Sequence, residues 1–518
     1  MAASIHPLAS ETGVAILRRG GNAFDAAVAM AALLNVVDPH MTGIGGDAFM
    51  LTYHAAGGKV EALNASGRSP YDCSLEYYAG LGWQQIPVTG IHAVSTPGAL
   101  DGWLRLLERH GSMALADLLE PAIRAAFDGF VVNRYLAGWY RHPLFGMSRW
   151  ARFPATAATY LTDGQPPEAG QRLRQPALAG TLQRLARHGA RDFYEGELAE
   201  RIERFCRQQG GFLTRRDLRD HQSDWVEPIS TIYRGYTIYE FPPNTQGIAL
   251  LEQLNILEGF DLAALGPNSA EAIHLQIEAK KLAFADLERY ITDPDAAAIP
   301  VAGLLAKAYA ARQRETIRRD QAAASTPRLD PALSTLENTT YFCVVDAQRN
   351  AVSFINSLRS PWGCGLVAAD TGILLQNRGK DFSLNPRHVN RLAPHKRTFH
   401  TLNPAMVLRD GQLVLVLGCA GAEQQTQALQ QLLVNVIDFG MEPQEAIAAP
   451  RWSSASGLEI GLEAGIEAQA RGRLAAKGHR LVETISTFGQ AQMIAVEAQG
   501  GGLRGGTESR AEGLVAGY

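Results

Sequence analysis

The pattern of this chain changes character at residue 340, and that change limits its fold more than any other feature. From roughly 100 to 320 it runs in helical patterns such as Gly102-Trp103-Leu104-Arg105-Leu106-Leu107-Glu108-Arg109 and Ile273-His274-Leu275-Gln276-Ile277-Glu278-Ala279-Lys280-Lys281-Leu282-Ala283-Phe284, where good helix formers dominate. After Thr340 it turns to strands. Tyr341-Phe342-Cys343-Val344-Val345-Asp346 and Ala351-Val352-Ser353-Phe354-Ile355 flank the turn Ala347-Gln348-Arg349-Asn350, a hairpin signature. A polar, proline-containing stretch, Ser325-Thr326-Pro327-Arg328-Leu329-Asp330-Pro331, separates the two regimes and reads as an exposed loop. A segment destined for cleavage is expected in such a place.

The first third mixes both patterns. Residues 23 to 36 are apolar almost all round, which predicts a buried helix ending near Asp38-Pro39. Gly43-Ile44-Gly45-Gly46 then gives a tight turn into the strand candidate Phe49-Met50-Leu51-Thr52-Tyr53. Later strands are expected at Ala405-Met406-Val407-Leu408 and Leu413-Val414-Leu415-Val416-Leu417, joined by the turn Arg409-Asp410-Gly411-Gln412, with a helix from Gln427 to Val436 after them.

With 46% apolar and 19% charged residues the chain can bury a sizeable core. Its length of 518 residues allows three or four domains, or one or two in a large layered enzyme. A formal charge of -4 without a basic block implies neither a nucleic-acid nor an anionic-membrane partner. Five cysteines, an odd number without C-x-x-C spacing, argue against a disulfide framework or a zinc site, so reduced buried thiols are expected. The opening residues lack the basic start and apolar core of a secretory signal, and no apolar stretch reaches about 20 residues, so a cytoplasmic location is expected. No metal or cofactor is implied. His388, His395 and His400 fit no ligand spacing, and Gly43-Ile44-Gly45-Gly46-Asp47 lacks both G-x-G-x-x-G and the P-loop lysine.

Seven segments carry a more specific signal: His6-Pro7-Leu8-Ala9-Ser10, Gly20-Gly21-Asn22-Ala23-Phe24-Asp25-Ala26-Ala27, Asp38-Pro39-His40-Met41-Thr42-Gly43-Ile44-Gly45-Gly46, Ser95-Thr96-Pro97-Gly98, Glu337-Asn338-Thr339-Thr340-Tyr341, Thr371-Gly372-Ile373-Leu374-Leu375-Gln376-Asn377 and Glu508-Ser509-Arg510-Ala511-Glu512-Gly513. In this order they resemble the gamma-glutamyltranspeptidase family over almost the whole chain. The resemblance implies an α+β fold, the four-layer αββα sandwich of N-terminal nucleophile hydrolases. It also implies a precursor cut between Asn338 and Thr339 into a large subunit, 1–338, and a small subunit, 339–518, which stay together as a heterodimer or a pair of heterodimers.

The chemistry explains why a threonine is wanted at a chain end. Its hydroxyl is a poor nucleophile until a base takes the proton, and the freed α-amine, with a pKa of about 8, supplies that base on the same residue. Before cleavage the same hydroxyl attacks the carbonyl of Asn338. By resemblance Ser357 supplies the second hydroxyl that steadies the nucleophile, where the family usually has Thr. The backbone N–H groups of Gly421 and Ala422 form the oxyanion hole, and Asp381 takes the place of the residue that pairs with a glutamyl α-amine.

Several positions depart from the glutamyl-specific pattern. Arg378 replaces Gln, Arg359 replaces Asn, and His400-Thr401 replaces a pair of serines. Ser66 falls where the family carries a carboxylate-binding Arg, and Arg68 two residues along is expected to take over. These segments resemble the cephalosporin-acylase-like or oxamate-amidohydrolase branch. The stretch between Phe382 and Lys396 is shorter than in members with a lid loop, so an open or differently covered site is expected. Arginine grips a carboxylate with two parallel hydrogen bonds, so Arg359 and Arg378 suit a small acidic amide such as oxamate. The alternative is structural pairing of these arginines with Asp381 or Asp370. Three readings follow: a small-acidic-amide hydrolase releasing ammonia, a glutathione hydrolase or gamma-glutamyltransferase, and a processed but inactive binding protein. The self-cleavage reading predicts that Thr339→Ala remains one full-length chain on a denaturing gel while the wild type yields two fragments; a split variant contradicts it.

Overall fold

Two antiparallel sheets lie face to face, and each holds strands from before and after residue 339, interleaved in the first. The first runs in the order Leu514–Ala516, Ala2–Ser4, Thr340–Val345, Ala351–Ser357, Asp47–His54, Lys59–Ala65, Asp224–Val226. The second runs Leu503–Thr507, Gln490–Val496, Gln412–Ala420, Ala405–Arg409, Tyr236–Glu240, Ile229–Tyr233. The computed structural model describes residues 1–324, 339–455, 457–483, 488–497 and 501–518. Asn338 and the expected loop at 325–331 lie outside the described residues.

Strand Thr340–Val345 shows why these residues form this architecture. Alternate side chains point to opposite faces of a strand. Tyr341, Cys343 and Val345 enter the core between the sheets with Phe49, Leu51, Met406 and Val416. Phe342 and Val344 enter the core under the helices, beside the residues of Ala23–Val37. Both faces are covered, so an unbroken apolar run is required here rather than the polar alternation of a half-exposed strand. On the second sheet Val407, Leu415 and Leu417 pack against the helices Gly247–Leu257 and Gln424–Ile437. The order helix, sheet, sheet, helix is the expected αββα sandwich.

The all-buried helix Ala23–Val37 is fixed at its start by a capping box, in which Asn22 accepts from the N–H of Asp25 and Asp25 accepts from the N–H of Asn22. Asp346, in the turn after strand Thr340–Val345, adds a bond from the N–H of Ala23 at 3.1 Å. All five cysteines are buried and unpaired, and Cys343 is a core side chain. No helix among the described residues is long and apolar enough to cross a membrane.

The sheets pack tightly beside the strand that follows Thr339. A Cβ added at Gly418 would stand 2.1 Å from the ring of Tyr341, whose hydroxyl is hydrogen-bonded to Ser353 at 2.8 Å. Because that ring is fixed between two sheets, overpacking here cannot be relieved by a rotamer change. Gly418→Ala is expected to destabilise the protein by about 1–3 kcal/mol, read as a lower melting temperature; an unchanged melting temperature contradicts this packing.

Candidate active site

Thr339 is the first described residue after the expected cleavage segment and lies one position before the last rung of its strand, where Thr340 pairs with Asn356. It is buried, and its hydroxyl donates to Ser357 Oγ at 3.0 Å. Ser357 Oγ also accepts from the backbone N–H of Arg359 at 2.8 Å, which fixes its position. The nucleophile candidate and its expected second hydroxyl are therefore together. Thr340 points to the opposite face and donates to Asp38 Oδ2.

Gly421 and Ala422 follow strand Gln412–Ala420 with φ of +135° and +50°. Their carbonyls are turned into the protein. That of Gly421 accepts from Gln424 N at 2.9 Å, and that of Ala422 accepts from Gln246 Nε2 at 2.8 Å. No acceptor among the described residues takes the N–H of either, which leaves two donors available for an oxyanion. Gln246 also donates to the carbonyl of Thr401 at 2.5 Å, so one amide ties this turn to the segment bearing His400 and Thr401.

The remaining candidates meet in one buried cluster around Asp381. Arg359 Nε donates to Asp381 Oδ2 at 2.6 Å and Arg359 Nη2 to Glu423 Oε1 at 3.3 Å. Arg378 Nη1 donates to Asp381 Oδ2 at 3.1 Å and to Thr401 Oγ1 at 3.3 Å, and Lys380 Nζ stands 3.5 Å from Asp381 Oδ1. The arginines thus pair with Asp381, whereas Asp370 pairs with Arg201. Burial alone would raise the Asp381 carboxyl, but Arg359, Lys380 and Arg378 together hold it well below the usual carboxylate range. Burial pushes Arg378 down to about 10, and its Nε and Nη2 have no hydrogen-bond partner among the described residues. Arg359 adopts a φ of +81°, a left-handed conformation costing about 1–3 kcal/mol that three hydrogen bonds hold in place. Beside the cluster lies a cavity of about 120 Å³ lined by Phe284, Leu287, Ile291, Phe399, Asp381 and Glu423.

His400 does not reach outward from this cluster. Its Nε2 bonds Asp47 Oδ2 at 3.2 Å, its Nδ1 accepts from the N–H of Leu402 at 3.3 Å, and burial lowers its pKa far enough to keep the ring neutral. Arg68 lies elsewhere, in an ion pair with exposed Asp295 at 3.1 Å. The arginine that holds Ser66 is Arg397, whose Nε donates to the Ser66 carbonyl at 3.0 Å.

Asp47, Glu423 and Gln246 belong to the site without having been singled out in the sequence. Asp47 accepts from Gly67 N at 2.9 Å and Gln376 Nε2 at 3.0 Å besides His400, and Arg378 Nε lies 3.9 Å away; burial pushes its carboxyl up to about 6. Only its place in Gly43-Ile44-Gly45-Gly46-Asp47 marked it, and that turn pointed to nothing but a rejected phosphate loop. Among the described residues the one group converging as metal ligands do is His274, Glu278 and His479. Both Glu278 oxygens are taken, by Lys281 Nζ at 2.8 Å and Ala323 N at 3.2 Å, and the two imidazoles bond each other at 2.8 Å. The group is a clamp on the segment before the cleavage region.

The chain as a whole is similar to known proteins. The family model for gamma-glutamyltranspeptidase matches residues 9–518. A glutathione hydrolase-like YwrD proenzyme of Bacillus subtilis is 41% identical over 100% of this chain and 98% of its own, and an oxamate amidohydrolase proenzyme of Klebsiella pneumoniae is 36% identical over 100% and 98%. The crystal structure of a cephalosporin acylase from Bacillus halodurans superposes with a TM-score of 0.94 at 37% identity, covering 100% of this chain and 95% of that one. With its sheet order, its buried threonine and these matches across its length, the chain belongs to the gamma-glutamyltranspeptidase family of hydrolases.

Proposed function

We propose that the processed protein hydrolyses small amides whose acyl part carries a carboxylate, oxamate being the simplest, with release of ammonia. The observation that carries this reading is the electrostatics around Asp381. A carboxylate surrounded by Arg359, Arg378 and Lys380 has no free face for a glutamyl ammonium, whereas Arg378 keeps two buried nitrogens, Nε and Nη2, without a hydrogen-bond acceptor among the described residues. A buried unpaired donor is costly, and a substrate carboxylate satisfies it. The likeness to an oxamate amidohydrolase supports the same reading.

In the mechanism we infer, cleavage before Thr339 frees its α-amine, which takes the proton from Thr339 Oγ1. The oxygen attacks the amide carbon, and the carbonyl oxygen becomes an oxyanion facing the N–H groups of Gly421 and Ala422. Collapse breaks the C–N bond, the departing nitrogen takes the proton from the ammonium, and an ester on Thr339 remains. Water gives a proton to the same amine, attacks that ester and returns the threonine. Ser357, fixed by the Arg359 N–H, holds the Thr339 oxygen on line throughout.

The likeness to a glutathione hydrolase-like proenzyme, together with the retained Asp381, favours a second reading, hydrolysis or transfer of gamma-glutamyl groups. Processed protein incubated separately with oxamate and with a chromogenic gamma-glutamyl anilide, with Thr339→Ala as blank, distinguishes the two. Ammonia from oxamate without aniline is expected, and aniline alone overturns the proposal. Arg378→Gln should weaken the apparent affinity for oxamate by about 2 kcal/mol, the worth of a charged hydrogen bond; an unchanged KM removes Arg378 from the substrate.

A further inference from the structure

Asp38 takes no part in the chemistry above, yet it holds the residue next to the nucleophile. We propose that Asp38 is a positioning residue that sets the aim of Thr339 by fixing Thr340 from the helix side of the sheet. The inference rests on the reading of Thr339 as the nucleophile, and it assigns a role to a carboxylate which that reading leaves unused.

Three observations carry it. First, the ladder between strands Thr340–Val345 and Ala351–Ser357 ends at the pair Thr340 and Asn356, so Thr339 stands one residue beyond the last rung. Once the preceding bond is cut, the reactive amine and hydroxyl belong to a chain end, and chain ends fray unless tied down. The Thr340–Asp38 hydrogen bond is a side-chain tie at that last rung.

Second, the segment that Asp38 begins also holds the other side of the site. Asp38 caps the C-terminus of helix Ala23–Val37. Three residues on, the carbonyl of Met41 accepts from Leu358 N at 2.9 Å, and the carbonyl of His40 accepts from Trp362 N at 2.6 Å. Residues 358 and 362 flank Arg359, whose N–H fixes Ser357. One short segment therefore braces both the strand that begins beside Thr339 and the turn after Ser357, and it sets the separation of the two hydroxyls.

Third, no lysine or arginine among the described residues pairs with Asp38. It is 3% exposed, and its nearest ionisable neighbour among the described residues is His40, with Nδ1 3.2 Å from Asp38 Oδ1. Burial keeps that imidazole neutral, enclosed by the rings of Tyr135, Trp139 and Trp362. A buried carboxyl without a salt bridge costs stability, and the bond it accepts from Thr340 gives it a purpose that packing alone does not.

The test uses the full chain with Asp38→Ala and Thr340→Val, which break the tie, and Asp38→Asn and Thr340→Ser, which keep an acceptor and a donor. Self-cleavage is followed on gels, and kcat and KM are measured on whichever of oxamate or the gamma-glutamyl anilide the wild type turns over. The tie-breaking variants are expected to lower kcat about 10- to 100-fold, as displacement of a reacting atom does, and to slow self-cleavage. KM should stay within about twofold, because uniform binding is untouched. Thr340→Ser should recover most of the loss, and the double variant Asp38→Ala/Thr340→Val should be no worse than either single one. Wild-type kcat and cleavage rate in Thr340→Val, or losses that Ser does not restore, overturn the proposal. If Asp38→Ala does not fold, the Thr340 pair decides alone. If neither substrate is turned over, the self-cleavage rates still decide it, and only the substrate reading fails.

Discussion

A single strand, Thr340–Val345, bears most of the constraints in this protein. It is hydrogen-bonded on one edge to Ala2–Ser4 and on the other to Ala351–Ser357, so the start of the large segment and a neighbouring strand of the small one lock it in the middle of a sheet. Its two faces feed two different cores. A nucleophile that is to become a chain end needs such a base, because catalysis tolerates little drift of the reacting atom. The same interleaving accounts for the subunits of such a protein staying together. Each sheet contains strands from both sides of the cleavage position, and cutting one bond removes none of the ladder.

Around that base the site is arranged as a balance of buried charge. Arg359, Arg378 and Lys380 face Asp381, Glu423 and Asp47 with their side chains largely buried, and a cluster of this kind is stable only if attraction offsets desolvation. The balance is incomplete at two points. Arg378 retains unbonded nitrogens, and Glu423 Oε2 has no partner among the described residues. Unmet hydrogen-bonding capacity near the proposed nucleophile, with two backbone N–H groups that have no acceptor among the described residues, is what a polar substrate would complete. His400 and Thr401 act behind this surface, His400 by orienting Asp47 and Thr401 by accepting from Arg378.

Much of the fold was legible in the sequence because its elements are buried on both sides. The run 23–36 is a helix as read, Ala23–Val37, and the hairpin after 340, the strands near 405 and 413 and the helix near 427 all form, with ends displaced by at most three residues. Thr339, Ser357, Arg359, Arg378 and Asp381 were legible by resemblance, and they do come together. Other parts were not, for a physical reason. Asp47 acquires its meaning from residues 376, 378 and 400, and Gln246 from residues 401 and 422, contacts across the fold that leave no local spacing. Nearness in sequence to Ser66 points to Arg68. The chain instead turns Arg68 toward Asp295 and brings Arg397 back from a distant loop to the Ser66 carbonyl.

The central claim is that the hydroxyl of Thr339, freed as a chain end and held by Ser357, carries the acyl group during turnover. Acid quenching of the processed enzyme in the steady state, followed by digestion and mass spectrometry, tests it directly. The account predicts a small fragment whose first residue is Thr339, with the acyl mass on the peptide that begins there. A fragment with a different first residue, or an acyl group found on any other side chain, would contradict it.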